Sequence, residues 1–195
     1  MRVAARLAVL VSGTGTILEA LLDARLPIAV VLADRPCRGL DVAAAAGVPV
    51  ELLDRAEFGG FGPGFDRERY TEELVRVLQA HDVGVVAMAG FGTVLGRAMQ
   101  DAYDGRILNT HPALLPAFPG WHAVEEALAA GVDVSGCTVH IATLDMDAGP
   151  VLAQEEVPVL PGDTVESLHE RIKAVERVLY PRTIAKFLES LQGDA

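Results

Sequence analysis

Three side chains in this sequence have the chemistry to carry an acyl carbon through a tetrahedral intermediate. Asn109 and His111 stand in the run Asn109-Thr110-His111-Pro112, and Asp147 in Leu144-Asp145-Met146-Asp147-Ala148-Gly149-Pro150. An Asn amide can donate to a developing oxyanion, a His can carry a proton near neutral pH, and an Asp can hold that His charged. Oxyanion stabilisation and proton transfer need these parts. All three lie in turn-rich stretches and not on amphipathic faces. Pro112 and Pro116 around Leu114-Leu115 predict a stiff, partly buried segment that fixes the imidazole.

Local sequence leaves plainer readings open. Asn109 and His111 also read as a capping Asn and a surface His before a proline, and Asp145 and Asp147 as stabilisers of a turn. Ser12-Gly13-Thr14-Gly15-Thr16 can present backbone N–H groups to a phosphate at a helix start. A tight strand-to-helix turn with a Thr cap fits the same residues equally well. Leu18 occupies the third glycine position of the dinucleotide fingerprint, and the turn lacks the Gly-Lys-Ser/Thr ending of a nucleoside-triphosphate loop. His111, His122, His140 and Asp147 match no metal-ligand spacing, so no metal is expected. Ser12 is not set in a Gly-x-Ser-x-Gly elbow. Trp121 reads as a core or lid aromatic, and Met88 and Met99 as packing residues. Glu176, among Arg171, Lys173 and Arg177, reads locally as part of a solvated helix face.

Positioning these groups falls to an alternation of strands and helices. Leu7 to Val11, Ile28 to Ala33, Val48 to Leu53 and Val83 to Ala89 are apolar runs that predict strands, and Ile107-Leu108-Asn109 predicts the next. Between them, Ile17, Leu18, Leu21 and Leu22 recur at helical spacing, Gly39 to Ala46 forms a small-residue helix, and Asp66 to Ala80 puts Tyr70, Leu74, Val77 and Leu78 on one face. Gly59 to Gly64 reads as a flexible loop. The order β-α-β-α-β-α-β-α-β argues for a mostly parallel α/β sheet with helices on both faces. After a short helix over His122 to Ala130 the rhythm changes. Ser135 to Ala142 and Val151 to Val157 suit antiparallel pairing. Val165 to Leu191 is a long helix expected to break near Pro181.

Composition narrows the class. The chain has 195 residues, 51% hydrophobic and 22% charged, an ordinary globular balance that predicts one domain over 1–195. A net charge of −11 with no basic run disfavours a nucleic-acid partner. Cys37 and Cys137 form no disulfide framework, which fits a reducing cytoplasm. Arg2, Arg6 and the apolar run up to Val11 could be misread as a signal peptide. The Ser12–Gly15 turn cuts that run short, so a buried first strand is expected, with no membrane span.

Together these segments resemble one family, the glycinamide ribonucleotide formyltransferases, which use 10-formyltetrahydrofolate in purine synthesis. The resemblance runs from Val9-Leu10-Val11-Ser12-Gly13-Thr14-Gly15 through Ala89-Gly90-Phe91 and Asn109-Thr110-His111-Pro112. It continues through Leu114-Leu115-Pro116, Pro119-Gly120-Trp121-His122, Gly136-Cys137-Thr138-Val139-His140 and Asp147-Ala148-Gly149-Pro150, and ends at Glu176 to Pro181. The ordered combination is specific, and the central motifs are shared with other folate-dependent formyltransferases.

The resemblance implies a Rossmann-like open sheet with an aminoribotide-binding N-terminal half and a folate-binding, catalytic C-terminal half. It implies Asn109, His111 and Asp147 as the catalytic trio. Gly15, Thr16 and Ile17, with Lys173 and Glu176, would bind the aminoribotide. Arg67, Gly92, Thr93, Val94 and Leu95 would bind the folate together with Asn109 and the loop Thr143, Leu144, Asp145, Met146, Asp147. The implied partners are two small molecules, glycinamide ribonucleotide and 10-formyltetrahydrofolate as co-substrate, in a cytoplasmic monomer or homodimer. Relatives acting on methionyl-tRNA or an amino-sugar nucleotide share the central motifs. The tRNA enzymes carry a further C-terminal domain, which this sequence is not expected to have. A non-catalytic nucleotide- or folate-binding module is the reading from another class. The sequence departs from the family's usual pattern at Thr16-Ile17 (often Ser-Asn), Gly92-Thr93 (a bulky residue and Arg), and Ala113 and Ala117 (Ser and Lys).

Overall fold

A computed structural model describes residues 6–193. Seven strands form one sheet: β1 (Leu7–Val11), β2 (Ile28–Ala33), β3 (Val50–Leu52), β4 (Val85–Met88), β5 (Ile107–His111), β6 (Val134–Ile141) and β7 (Val151–Pro158). The helices are α1 (Thr16–Asp23), α2 (Arg38–Ala45), α3 (Arg67–Ala80), α4 (Arg97–Tyr103), α5 (Ala123–Ala129) and α6 (Val165–Gly193), with a 3₁₀ turn over Arg55–Phe58. Spatial strand order is β3-β2-β1-β4-β5-β6-β7. β1 to β5 run parallel, and β6 and β7 join antiparallel. This is the mostly parallel, Rossmann-like α/β sheet that the sequence predicts.

Alternation along β1 explains the layering. Leu7, Val9 and Val11 join a core with α1 and α6 on one face, and Ala8 and Leu10 join another with α3 and α4 on the other. Because successive side chains point to opposite faces, a strand covered on both sides must be apolar throughout. All five β1 residues are fully buried. The Arg2 part of the signal-peptide misreading lies outside the described residues. Among the described residues no helix is long and apolar enough to cross a membrane.

Local signals set most boundaries. Asp66 caps α3 by accepting the Arg69 N–H at 3.1 Å, which starts that helix at Arg67. The third strand is shorter than its apolar run, because only Val50 to Leu52 pair with β2. α4, between β4 and β5, is the fourth helix of the predicted alternation, the one to which the sequence assigns no bounds.

The expected break at Pro181 does not occur: α6 runs unbroken from Val165 to Gly193. Proline removes one intrahelical hydrogen bond and crowds the preceding turn, at a cost of about 3 kcal/mol. Packing on both sides of it holds the helix. The buried Tyr180 hydroxyl donates to the carbonyls of Met88 at 3.1 Å and Leu108 at 2.8 Å, and Leu179, Ile184 and Leu188 are buried in the core.

The strand order also fixes where a ligand can enter. From β1 the chain moves outward to β2 and β3, then returns to place β4 on the other side of β1. The crevice beyond the carboxyl ends of β1 and β4 is the topological switch point of such a sheet. The glycine turn follows β1, Gly90-Phe91 follows β4, and β5 delivers Asn109 and His111 beside them.

Candidate active site

A cleft of about 490 Å³ opens at that switch point. Asn109 and His111 are two apart on β5, so both side chains leave the same sheet face. His140 lies opposite Asn109 in the antiparallel ladder with β6, and therefore on that face too. The Asn109 Nδ2 lies 3.3 Å from His140 Nε2. Asp147 comes from the loop between β6 and β7. Its Oδ2 is 3.3 Å from His111 Nδ1 and its Oδ1 is 3.5 Å from His140 Nε2. The three residues marked in the sequence converge, and a fourth, His140, joins them.

Asp147 is held in place from several sides. The Gly120 N–H donates to its Oδ2 at 2.8 Å. Its backbone is left-handed, with φ 54°, a conformation uncommon for a residue with a side chain and concentrated at functional sites. Gly149, two residues on, lies so close to the Ile141 carbonyl that a Cβ there would collide with it. Burial pushes the Asp147 carboxyl up. The His140 contact, the Gly120 N–H and the charges of the two imidazoles outweigh burial and hold it below the usual carboxylate range.

The ring contacts constrain the protons. His111 Nε2 lies 2.7 Å from the Phe118 carbonyl, which only accepts, while Nδ1 faces the Asp147 carboxylate. Each nitrogen of a protonated His111 thus has an acceptor. His140 Nδ1 donates to the Ile141 carbonyl at 3.0 Å, so its Nε2 either accepts from Asn109 or, when protonated, donates to Asp147.

The segment after His111 is stiff, as its prolines suggest. Ala113 and Leu115 are buried. The Thr138 hydroxyl donates to the Ala113 carbonyl at 2.6 Å and accepts the Leu115 N–H at 3.1 Å, and Gln154 donates to the Leu115 carbonyl at 2.8 Å.

At the other end of the cleft, Gly15 caps α1 with φ 77° and no side-chain cap, so the Thr-cap reading of this turn does not hold. The first intrahelical backbone bond is from Glu19 N–H to the Gly15 carbonyl at 2.9 Å. The amides of Thr16 and Ile17 precede it and have no carbonyl within the helix, the arrangement that suits an anion. Lys173 and Glu176 reach the same cleft from α6. Glu176 is half-buried rather than part of a solvated face, and loss of water pushes its carboxyl up to about 7, against the pull of Thr110, Lys173 and Arg177.

The remaining candidates divide. Gly92, Thr93, Val94, Leu95, Thr143, Leu144 and Met146 line the cleft. Arg67 is exposed at the start of α3, and Asp145 is exposed with its carbonyl accepting from Thr143 at 2.9 Å; neither is among the lining residues. Thr93 turns its hydroxyl away from the cleft to buried Asp34, at 2.6 Å, and accepts from Arg55 at 2.9 Å. A Cβ on Gly92 would sit 2.8 Å from the Arg35 guanidinium, so Arg35 fills the room a larger residue would need. Trp121 is no core aromatic: it is 65% exposed on the cleft wall. Met88 and Met99 also reach that wall. His122 points elsewhere and pairs with Glu125. His140 stood in the sequence only as the end of the Gly136–His140 motif and in a discounted metal set; its place beside Asn109 needs the pairing register to read.

Residues 5–184 match the family described as formyl transferase. The chain belongs to the formyl transferase family. It is 47% identical over 186 residues to a Mycobacterium tuberculosis protein named phosphoribosylglycinamide formyltransferase, covering 93% of this chain and 84% of that one. It is 39% identical over 187 residues to the human trifunctional purine biosynthetic protein adenosine-3, covering 92% of this chain and 18% of that longer protein. Among solved structures, glycinamide ribonucleotide transformylase 1 from Symbiobacterium toebii superposes with a TM-score of 0.87 at 44% identity, covering 95% of this chain and 88% of that one. Over most of its length the formyl transferase is therefore similar to phosphoribosylglycinamide formyltransferases and to one part of a longer, trifunctional purine biosynthetic protein.

Proposed function

We propose that the cleft transfers the formyl group of 10-formyltetrahydrofolate to the amine of glycinamide ribonucleotide, giving the formylated ribonucleotide and tetrahydrofolate, and that one domain in the cytoplasm carries both subsites. The observation that carries this reading is the convergence of Asn109, His111 and Asp147 on a cleft that also reaches the glycine turn. Both substrates fit the residues present. The turn's amides and Lys173 suit a sugar phosphate. The cleft's apolar wall of Phe91, Leu95, Ile107 and Ala142 suits a flat pterin, and its volume falls within the range of small-molecule sites. Cys37 and Cys137, both free, suit a reducing compartment.

The amine forms a bond to the formyl carbon while the carbonyl becomes an oxyanion. Asn109 donates its amide hydrogen to that oxygen. Protonated His111 places positive charge beside it, its Nε2–H held by the Phe118 carbonyl and its Nδ1 facing Asp147. Asp147, ionised at neutral pH, keeps the His111 ring charged and oriented. It also takes the proton lost by the amine and passes it through water to N10 as the carbon–N10 bond breaks. Holding both substrates in one cleft converts an encounter of two molecules into a step within one complex.

The test mixes purified protein with both substrates and follows the deformylated folate by absorbance. His111→Ala and Asp147→Asn should each lower kcat by about 10²–10⁴, with far smaller changes in KM. Wild-type turnover in both variants would remove the mechanism. Turnover only with another amine would move the acceptor, and binding of both substrates without turnover would leave a binding module.

A further inference from the structure

We infer that His169 is a further binding residue for the aminoribotide, closing with Lys173 on its phosphate-bearing end. The inference rests on the acceptor proposed above. His169, Lys173 and Glu176 stand at i, i+4 and i+7 of α6, and all three line the cleft. They make one polar face along about 10.5 Å of helix. α6 packs against α1, whose first turn supplies the backbone amides. Lys173 is loosely held: its partner Glu170 is 4.0 Å away and is already bonded to Arg177 at 3.0 Å. A phosphate dianion at the turn can draw on that ammonium, and the imidazole one turn before it is the next donor on the same face.

The surroundings of His169 make its proton depend on that anion. Burial, and then the Lys173 charge, hold the imidazole below its ordinary value. Glu170 on the same helix and Glu125 on α5 pull the other way, and Glu125 is itself engaged by His122. Glu176, pushed up to about 7, is largely in its uncharged acid form at pH 6 and opposes an anion little there. A phosphate between His169 and Lys173 outweighs the lysine as the nearest charge. His169 then takes a proton from solvent and donates a charge-assisted hydrogen bond.

Ribose 5-phosphate is the probe, because it carries the sugar phosphate without the reacting amine. Calorimetry at pH 6 and pH 8 compares wild type, His169→Ala, His169→Gln and Lys173→Ala. We expect His169→Ala to weaken binding about tenfold at pH 6 and less at pH 8, and His169→Gln to recover part of the loss. The phosphate itself sheds protons when bound as the dianion at pH 6, so the reading is a difference: wild type should take up more protons on binding than His169→Ala, from the dependence of the heat on buffer. Binding that Lys173→Ala weakens but His169→Ala leaves unchanged overturns this inference alone. So does an equal loss at both pH values with the same proton balance in wild type and His169→Ala, which a merely structural histidine would give. Wild type that does not bind ribose 5-phosphate overturns the aminoribotide assignment together with it.

Discussion

At the scale of single residues, the site combines groups whose protons are set by their neighbours. In the proposed transfer Asn109 is an oxyanion donor that carries no charge of its own, and Asn109→Ala should lower kcat about 10²–10³, the usual loss for one such donor, measured under saturating substrate. Glu176 gives a second expectation. Burial pushes its folded carboxyl up to about 7 from an ordinary 4.5, so between those values the folded state binds more protons than the unfolded one. Stability contributed by this group is therefore present at low pH and lost as pH rises through that window. Thermal melts of wild type and Glu176→Gln between pH 5 and pH 8 should show a steeper fall for wild type; parallel curves would refute the assignment. Asp147 has the opposite sign. Its carboxyl is held low, so its contribution is present above the ordinary carboxylate range and disappears only as pH falls below it.

At the scale of elements, the site is only as precise as the loops that carry it. Gly149 has no room for a side chain beside the Ile141 carbonyl, and a backbone oxygen in a strand cannot yield as a flexible side chain would. Gly149→Ala should displace the loop bearing Asp147 and lower kcat more than it lowers the melting temperature; unchanged turnover would show that the loop absorbs the methyl group elsewhere. Tyr180 performs the matching task for α6. Its hydroxyl serves two buried carbonyls at the ends of β4 and β5, so Tyr180→Phe should cost about 1–3 kcal/mol in denaturant unfolding. The same anchor lets α6 pass through Pro181 and carry His169, Lys173 and Glu176 along one cleft wall.

At the scale of the whole molecule, the switch point between β1 and β4 brings two dissimilar surfaces to one crevice: backbone amides after β1, and an apolar wall after β4 and β5. Separate subsites predict separate stabilisation. Glycinamide ribonucleotide and a non-reactive reduced folate should each raise the melting temperature, by about 2.7 kcal/mol of stability at a hundredfold excess over Kd, and together their effects should add. Competition in place of addition would mean a shared subsite.

The sequence by itself determined the parts that depend on near neighbours. Leu7–Val11 and Ile28–Ala33 are strands with the bounds their apolar runs predict, and two-residue spacing put Asn109 and His111 on one face. The glycine turn marked a strand-to-helix junction. Tertiary structure decided what depends on residues distant in the chain. His140 reaches the trio only through the register of β6 on β5, and Arg35 takes the space over Gly92 from another loop. Glu176 leaves a helix that looks solvated for a place where water is scarce. α6 stays whole because contacts across the sheet outweigh a local helix breaker. Periodicity and turn chemistry are local and can be read along the chain, whereas burial, charge and proton position are sums over neighbours that only folding brings together.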